Sequence, residues 1–234
     1  MHRRTRLTTS LIAAAAALTS MLGSPPSAGA SATAPQAGET YTVSAGGRTT
    51  GTVLFHLGAS GPAPQARFYS SRTGQLLVGC RDGEGNGRWK LGTNLPGAII
   101  ATVRMTAWNF CSGVRGLKYD VSAVSPWRIN LTGATDSPGS VFHGTPANVG
   151  DVIVDFSRRD AGCSFQLSGR YRITVETVAG RQAQIRARSH GEGTLTASAV
   201  VGCAGQVLDG DKAFITAIWP IQPAAVPFVV TSNP

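Results

Sequence analysis

The chain alternates short apolar runs, rich in β-branched and aromatic residues, with clusters of Gly, Pro, Ser and Asn. Runs of this kind are typical of β-strands, and the clusters between them are typical of turns. The clearest runs are Thr52–Phe55, Ile99–Met105, Lys118–Val124, Val152–Val154, Tyr171–Val178 and Phe214–Ile218. We therefore predict an all-β fold, an antiparallel sandwich or barrel-like domain. Prolines after Trp219 place any last strand at a sheet edge.

One hairpin follows from strict alternation on either side of Gly180. Its apolar positions are Tyr171, Ile173, Val175, Ala183, Ile185 and Ala187. A slip of one residue turns a strand over, so both apolar sets share a face only with an odd-length loop, most simply residues 179–181. This register places Arg186 opposite Thr174 and Arg172 opposite Arg188.

The composition narrows the class of protein. Of the 234 residues, 14% are charged and 29 are glycine, whereas average soluble domains have about 25% charged residues and about 7% glycine. These values argue against a coiled coil, a helical bundle and a charge-rich disordered chain. A chain of this length has room for one ordinary core or two very small ones.

The first thirty residues have the features of an export signal. Three arginines precede a short alanine-rich apolar run, and Ala28-Gly29-Ala30 supplies a small-residue cleavage pattern. We predict a signal peptide over 1–30, a flexible linker over 31–39 and a single all-β domain over 40–234. A cut after Ala34 is the alternative. The mature protein is then secreted, extracellular or associated with the cell envelope, by either general secretion or the twin-arginine route.

Four cysteines in an exported chain indicate disulfide bonds. An internal repeat suggests how they pair, because a Thr-Ala dipeptide precedes the second and the fourth cysteine, and each copy contains one earlier cysteine. We therefore predict two sequential bridges, Cys80–Cys111 and Cys163–Cys203. Zinc binding is the weaker alternative, since the chain has no C-x-x-C spacing. The two copies of this pseudo-repeat span about 80–127 and 163–220.

The polar side of the hairpin is rich in arginine. It carries Arg170, Arg172, Arg186, Arg188 and, just beyond the second strand, His190. Guanidinium groups bind phosphate, sulfate and carboxylate groups through paired hydrogen bonds, so these residues form the candidate anion-binding site. The partner that it suggests is an anionic cell-wall polymer or glycan. A solvated polar face is the alternative, and no aromatic interleaving supports a specific nucleic-acid partner.

The tryptophans are candidates for a sugar-stacking platform. Trp127 and Trp219 lie at matching ends of the repeat, which favours a place in the core. Trp89 lies among glycines and between Arg88 and Lys90. We expect Trp89 to be partly exposed, and it is the candidate sugar-stacking residue.

No recognised catalytic motif accompanies these residues. The chain has no G-x-S-x-G elbow and no H-E-x-x-H helix, and no neighbouring pattern fixes a partner for His56, His143 or His190. The segment 82–87 has alternating oxygen ligands like a calcium loop, but a threonine stands where the bidentate Glu belongs, so we interpret it as a glycine-rich turn. Asp209-Gly210-Asp211 is interpreted as structural. We assign no catalytic residue, no metal site and no cofactor.

Short motifs with glycine and cysteine lie between Cys80 and Trp219. They are Pro126-Trp127, Gly162-Cys163-Ser164-Phe165, Gly202-Cys203-Ala204-Gly205 and Gly210-Asp211. In these motifs the chain resembles a group of small, secreted, disulfide-bridged all-β proteins of actinomycetes, which are uncharacterised. The resemblance implies a signal peptide followed by a cysteine-bridged β domain, and it implies no activity.

These features favour a secreted, non-catalytic β-domain protein with a binding or structural role outside the cell or at the envelope. One alternative is an anionic-polymer or glycan-binding module that uses the arginine-rich hairpin. The other is a secreted hydrolase with an unrecognised site. No transmembrane segment is expected after removal of the leader.

Overall fold

The described part of the chain lies in one unit that runs from Thr33 to Pro234. A computed structural model describes residues 39–58, 66–124, 126–134, 144–160, 162–177, 182–188, 194–223 and 226–233. The predicted signal peptide and all of the predicted linker except its last residue lie outside the described residues. No helix in the described part is long and apolar enough to cross a membrane.

In the described residues, fifteen strands and one 3-10 turn, Val114–Gly116, form the regular structure, and the pairings among these strands are antiparallel. The all-β prediction is confirmed. The strands are β1 Thr40–Ala45, β2 Gly51–Leu57, β3 Ala66–Ser70, β4 Leu76–Cys80, β5 Asp82–Pro96, β6 Ala101–Asn109, β7 Cys111–Gly113, β8 Lys118–Ala123, β9 Trp127–Leu131, β10 Gly144–Arg158, β11 Ser164–Glu176, β12 Gln184–Arg188, β13 Leu195–Val201, β14 Lys212–Gln222 and β15 Phe228–Asn233.

Eight strands close into a barrel-like ring, here called the first ring. Its order is β2, β5, β6, β9, β10, β11, β12 and β14, and β14 pairs again with β2. Closure pairs both edges of every strand in the ring, which removes the exposed edges on which sheets aggregate.

A second ring shares three strands with the first. Its order is β3, β4, β7, β8, β10, β11, β13 and β14, and β14 pairs again with β3. The shared strands β10, β11 and β14 are long enough to give one part to each ring. In β10 the division falls at a bulge between Val149 and Val152, where an irregularity in the ladder bends a strand.

Tryptophans fill the middle of the first ring. The ring centroids of Trp108, Trp127 and Trp219 lie 6.1, 6.3 and 6.5 Å apart, so the three indoles form a triangle. Trp127 and Trp219 are 2% and 1% exposed, which confirms the prediction that both lie in the core. Aromatic pairs at this separation attract each other beyond the burial of their area.

Strand β5 makes room for this aromatic core. The segment 82–87, interpreted above as a turn, is the beginning of a 15-residue strand, so that interpretation is wrong. Its glycines at 83, 85 and 87 face inwards, and a Cβ at Gly87 would lie 2.1 Å from Phe55 Cζ, while one at Gly83 would lie 3.3 Å from Trp219 Nε1. Glycine is there because neighbouring rings occupy the space of a side chain.

Both predicted disulfides are confirmed. Cys80–Cys111 joins the end of β4 to the start of β7, and Cys163–Cys203 joins the start of β11 to the loop after β13. The bridges close loops with sequence separations of 31 and 40 residues, which stabilise the fold by about 3.5 to 4 kcal/mol each in the chain-entropy account. Two disulfides are compatible with an oxidising, extracytoplasmic location.

The last strand lies at an edge, as the prolines predict. Within the described part of the chain, β15 pairs only with β1, at the end of the sheet order. Strand β1 pairs on its other side with residues 92–96 of β5, so β5 extends beyond the first ring and carries this pair of terminal strands.

The segment Asp209-Gly210-Asp211 has a structural role. The Asp211 carboxylate accepts hydrogen bonds from Arg72 at 3.2 Å and from the Leu208 N–H at 3.0 Å, and Asp209 accepts one from the Val200 N–H. Burial alone would raise the pKa of Asp211, but the hydrogen bonds and the charge of Arg72 outweigh it and lower the pKa below its usual value. Both carboxylates therefore fix the loop between β13 and β14.

Substitution of the inward glycines of β5 tests the account of the core. Gly87→Ala places a methyl group 2.1 Å from Phe55 and should lower the free energy of unfolding by about 1–3 kcal/mol or more. Gly85→Ala, with its closest contact at 2.9 Å, should have a smaller effect. The control Gly79→Ala in β4 meets nothing closer than 3.7 Å. Urea denaturation of the three variants measures the order of their free energies of unfolding. Equal stability of G87A and G79A would contradict this account of the core.

The Asp211 carboxylate predicts an acid-dependent loss of stability. Its pKa is lower in the folded chain, so its stabilising contribution is present at neutral pH and disappears as the pH falls below about 4. Asp211→Asn should lower the free energy of unfolding at pH 7 by up to about 1 kcal/mol. The stability difference between wild type and variant in urea denaturation should shrink as the pH falls below about 4. A difference that persists undiminished at pH 3 would rule out the carboxylate as its source.

Candidate anion-binding surface

The structure brings only part of the predicted arginine cluster together at the surface. Arg170 and Arg172 are exposed on β11. Arg186 lies opposite Thr174, which confirms the predicted register of the hairpin. The side chain of Arg188 and the whole of His190 lie outside the described residues, as does the loop 178–181.

Arg186 is not available as an anion ligand. Its Nε lies 2.7 Å from Oε1 of Glu176, and the two side chains are only 17% and 5% exposed. The amide of Gln184 donates a hydrogen bond to the other oxygen of the same carboxylate. The prediction that Arg186 belongs to an open anion site is therefore wrong, because the acid on the hairpin neutralises it in a buried ion pair.

Trp89 is buried, and the expectation that it is partly exposed is wrong. Its side chain is 0% exposed and packs between Phe55 and Phe228, at centroid distances of 5.6 and 4.8 Å. Successive residues of a strand point to opposite faces, so the inward Trp89 leaves its neighbours Arg88 and Lys90 outward. Trp89 cannot stack on a sugar at the surface.

The hairpin and Trp89 also lie on opposite sides of the first ring. Strands β5 and β11 are four steps apart in either direction around the eight-stranded circuit. No compact ligand touches the outer surface of both strands. The hairpin arginines and Trp89, the two candidates predicted from the sequence, therefore do not form one site.

A different cationic surface lies on the outside of β2, β5 and β6, and we call it the basic face. Lys90 lies opposite Thr52, and Arg88 lies between Leu54 on β2 and Thr102 on β6. The next row places Asn86 between His56 and Arg104. The basic face thus consists of the outward residues Thr52, Leu54, His56, Asn86, Arg88, Lys90, Thr102 and Arg104.

Three cations of the basic face are close neighbours. Arg88 and Lys90 are two positions apart on one strand, about 7 Å, and Arg104 is diagonal to Arg88 at about 7–8 Å. All three are exposed, and no ion pair or hydrogen bond holds them within the described part of the chain. The first carboxylate along β5 is Glu84, beyond Asn86. Like charges this close repel unless an anion or solvent lies between them.

A groove opens at the Lys90 end of the basic face. It has a volume of about 480 Å³ and is lined by Thr52, Arg88, Lys90 and Thr102 together with Gly51 and residues 99–101 around the start of β6. This volume lies within the range of about 300–1,000 Å³ of small-molecule sites. The groove offers two cations and two hydroxyl groups at outward positions of neighbouring strands, a combination that suits an anionic group with several oxygens.

One wall of the groove is a strained isoleucine. Ile99 has φ of +46° and is 48% exposed, although β-branched residues are disfavoured in the left-handed region. Its N–H donates to Oδ1 of Asn130 at 2.8 Å, and the neighbouring Ile100 N–H donates to the Ile129 carbonyl at 3.0 Å. These bonds to β9 keep the Ile99 side chain at the mouth of the groove.

One void inside the first ring, lined by described residues, is too small for a ligand. This void, lined by side chains such as Leu57, Val103, Tyr171 and Trp219, has a volume of about 10 Å³, room for one water molecule at most. Burial raises the pKa of the Tyr171 phenol well above its ordinary value, so the phenol is neutral there. This void therefore offers no ligand site.

Catalytic groups are sparse in the described part of the chain. His56 Nδ1 lies 3.0 Å from Oδ1 of Asn86, an amide rather than a hydroxyl or a carboxylate. His143 and His190 lie outside the described residues. No group of three His, Cys, Asp or Glu side chains in that part could hold a metal ion.

In comparisons with protein-family models, curated proteins and solved structures, nothing matched this chain. The resemblance to secreted actinomycete proteins stays a prediction, and the surface chemistry is the basis for assigning a function.

Two variants of the hairpin distinguish an arginine that stabilises the fold from one that is only exposed at the surface. Arg186→Ala leaves the Glu176 carboxylate buried without its guanidinium and should lower the free energy of unfolding by about 3 kcal/mol. Arg172→Ala removes an exposed arginine from the neighbouring strand and should change it by less than about 0.5 kcal/mol. Thermal and urea denaturation compare the two. If both variants are equally stable, Arg186 has no structural role.

Proposed function

We propose that this chain is an exported, non-catalytic protein that binds an anionic polymer of the cell envelope or its surroundings on the basic face. The observation that supports this most directly is the cluster of Arg88, Lys90 and Arg104, three exposed cations on neighbouring strands that have no ion-pair partner among the described residues. Export is supported by the leader and is compatible with the two disulfides.

Electrostatics favours the basic face over the arginine hairpin. The hairpin has an acid of its own, and Glu176 compensates one of its arginines. Arg128 on β9, between the two surfaces, already interacts with another residue. On the basic face, by contrast, Arg88 repels each of Lys90 and Arg104 by roughly 0.6 kcal/mol at about 7 Å in water, and an anion bound between them relieves that repulsion.

The openness of the surface favours a polymer over a compact substrate. The basic face is the solvated side of three antiparallel strands, and its cations extend from the groove at Lys90 to Arg104 across three rows of residues. A chain with repeated phosphate, sulfate or carboxylate groups satisfies several cations at once. Such contacts depend on counterion release and weaken steeply with salt.

Matched double variants test this proposal with dextran sulfate as the anionic polymer and uncharged dextran as its control. Arg88→Gln with Lys90→Gln should weaken dextran sulfate binding by about five- to thirtyfold in dilute buffer, since each exposed ion pair contributes up to about 1 kcal/mol. Arg170→Gln with Arg172→Gln removes the same charge from the hairpin and should have little effect. Isothermal titration calorimetry at low and high salt measures both.

Other outcomes contradict the proposal. Equal losses in the two double variants would show that only net charge matters, and a loss confined to the hairpin variant would move the site to β11. Dextran bound as well as dextran sulfate, or no binding of either at low salt, would also exclude the basic face as a polyanion site.

A further inference from the structure

The groove at the end of the basic face combines charge with an exposed apolar wall. Arg88 and Lys90 line it beside Thr52 and Thr102. Ile99 closes one side and is 48% exposed. A large apolar side chain that is exposed beside two cations suits a ligand in which an apolar part is joined to an anionic group.

The position of Ile99 is held by the fold rather than by chance. A β-branched residue at φ of +46° is strained, and glycine or asparagine would fit that backbone with less strain. Three hydrogen bonds tie the segment 97–100 to β9: Leu131 N–H to the Gly97 carbonyl, Ile99 N–H to Asn130, and Ile100 N–H to the Ile129 carbonyl. Strain of this kind persists where the surrounding structure fixes it, and it is concentrated at functional sites.

We infer that the groove binds an amphiphilic anion, a phosphate or sulfate ester that carries an alkyl group. The ester oxygens contact Arg88 and Lys90 with the hydroxyls of Thr52 and Thr102, and the alkyl group packs on Ile99. This rests on the proposed function and names the ligand class that its groove takes, such as the lipid-bearing end of an anionic polymer. The volume of about 480 Å³ accommodates an ester headgroup and a short alkyl chain.

The test uses octyl sulfate below its micelle concentration, with inorganic sulfate and octyl glucoside as the charge-only and tail-only probes. Titration calorimetry should show octyl sulfate bound at least about tenfold more tightly than either of them, since burial of several methylene groups adds to the ionic contacts. R88Q with K90Q should abolish the preference over octyl glucoside.

The variant Ile99→Gly tests the apolar wall of the groove without destabilising the fold. It removes the strained side chain from a backbone that glycine adopts freely, so its denaturation midpoint should stay unchanged or rise. Octyl sulfate binding should weaken about three- to tenfold, while dextran sulfate binding stays unchanged. Asparagine also adopts this backbone conformation, so Ile99→Asn should have the same effects as Ile99→Gly. The control Ile218→Thr removes an isoleucine of 39% exposure from β14 and should leave octyl sulfate binding unaltered.

The two proposals fail in different ways. If octyl sulfate binds no better than inorganic sulfate, or if I99G and I99N bind it as well as wild type, the amphiphile inference is overturned while dextran sulfate binding can persist. An equal loss in I218T would assign the effect to unspecific detergent binding and overturn it as well. If the wild-type protein does not bind dextran sulfate, the proposed function itself is overturned.

Discussion

The absence of side chains at three inward positions of β5 is the constraint on which the first ring depends. A closed ring of eight strands has an interior of fixed width, and here three indoles meet in it within 6.5 Å of one another. The core packs because Gly83 leaves its volume to Trp108 and Trp219, Gly85 to Met105 and Gly87 to Phe55. Large and small side chains must alternate across a packed core, and β5 supplies the small ones.

The same strand determines what the outer surface carries. Because side chains alternate along a strand, the inward glycines and Trp89 leave Asn86, Arg88 and Lys90 outward. The register of β5 with β2 and β6 is fixed by the packing of its inward face, since a slip of one residue would drive the cations into the aromatic core. Core packing therefore positions the basic face, although none of its cations belongs to the core.

Local patterns in the sequence were sufficient for strand type, for the hairpin register and, through the internal repeat, for the pairing of Cys80 with Cys111 and of Cys163 with Cys203. They were insufficient for β5, where alternate glycines have the composition of a turn but the spacing of an inward face. The two rings could not be predicted, because closure depends on pairings between strands far apart in the chain, such as β2 with β14. The basic face arises from the pairing of β5 with β2 and with β6.

Cationic residues that are close in the sequence do not always form an open binding site. The pairing of strands decides which of them stay without an acidic neighbour. The five cationic residues of the hairpin are close neighbours in the chain, yet the same hairpin includes Glu176, diagonal to Arg186 across the two strands, and the pair is buried. Arg104 is fourteen positions from Lys90, but antiparallel pairing of β5 with β6 places it diagonal to Arg88 with no carboxylate between them. A cation with an acid on the adjacent strand stabilises the fold, whereas one without such a partner keeps its charge available to a ligand.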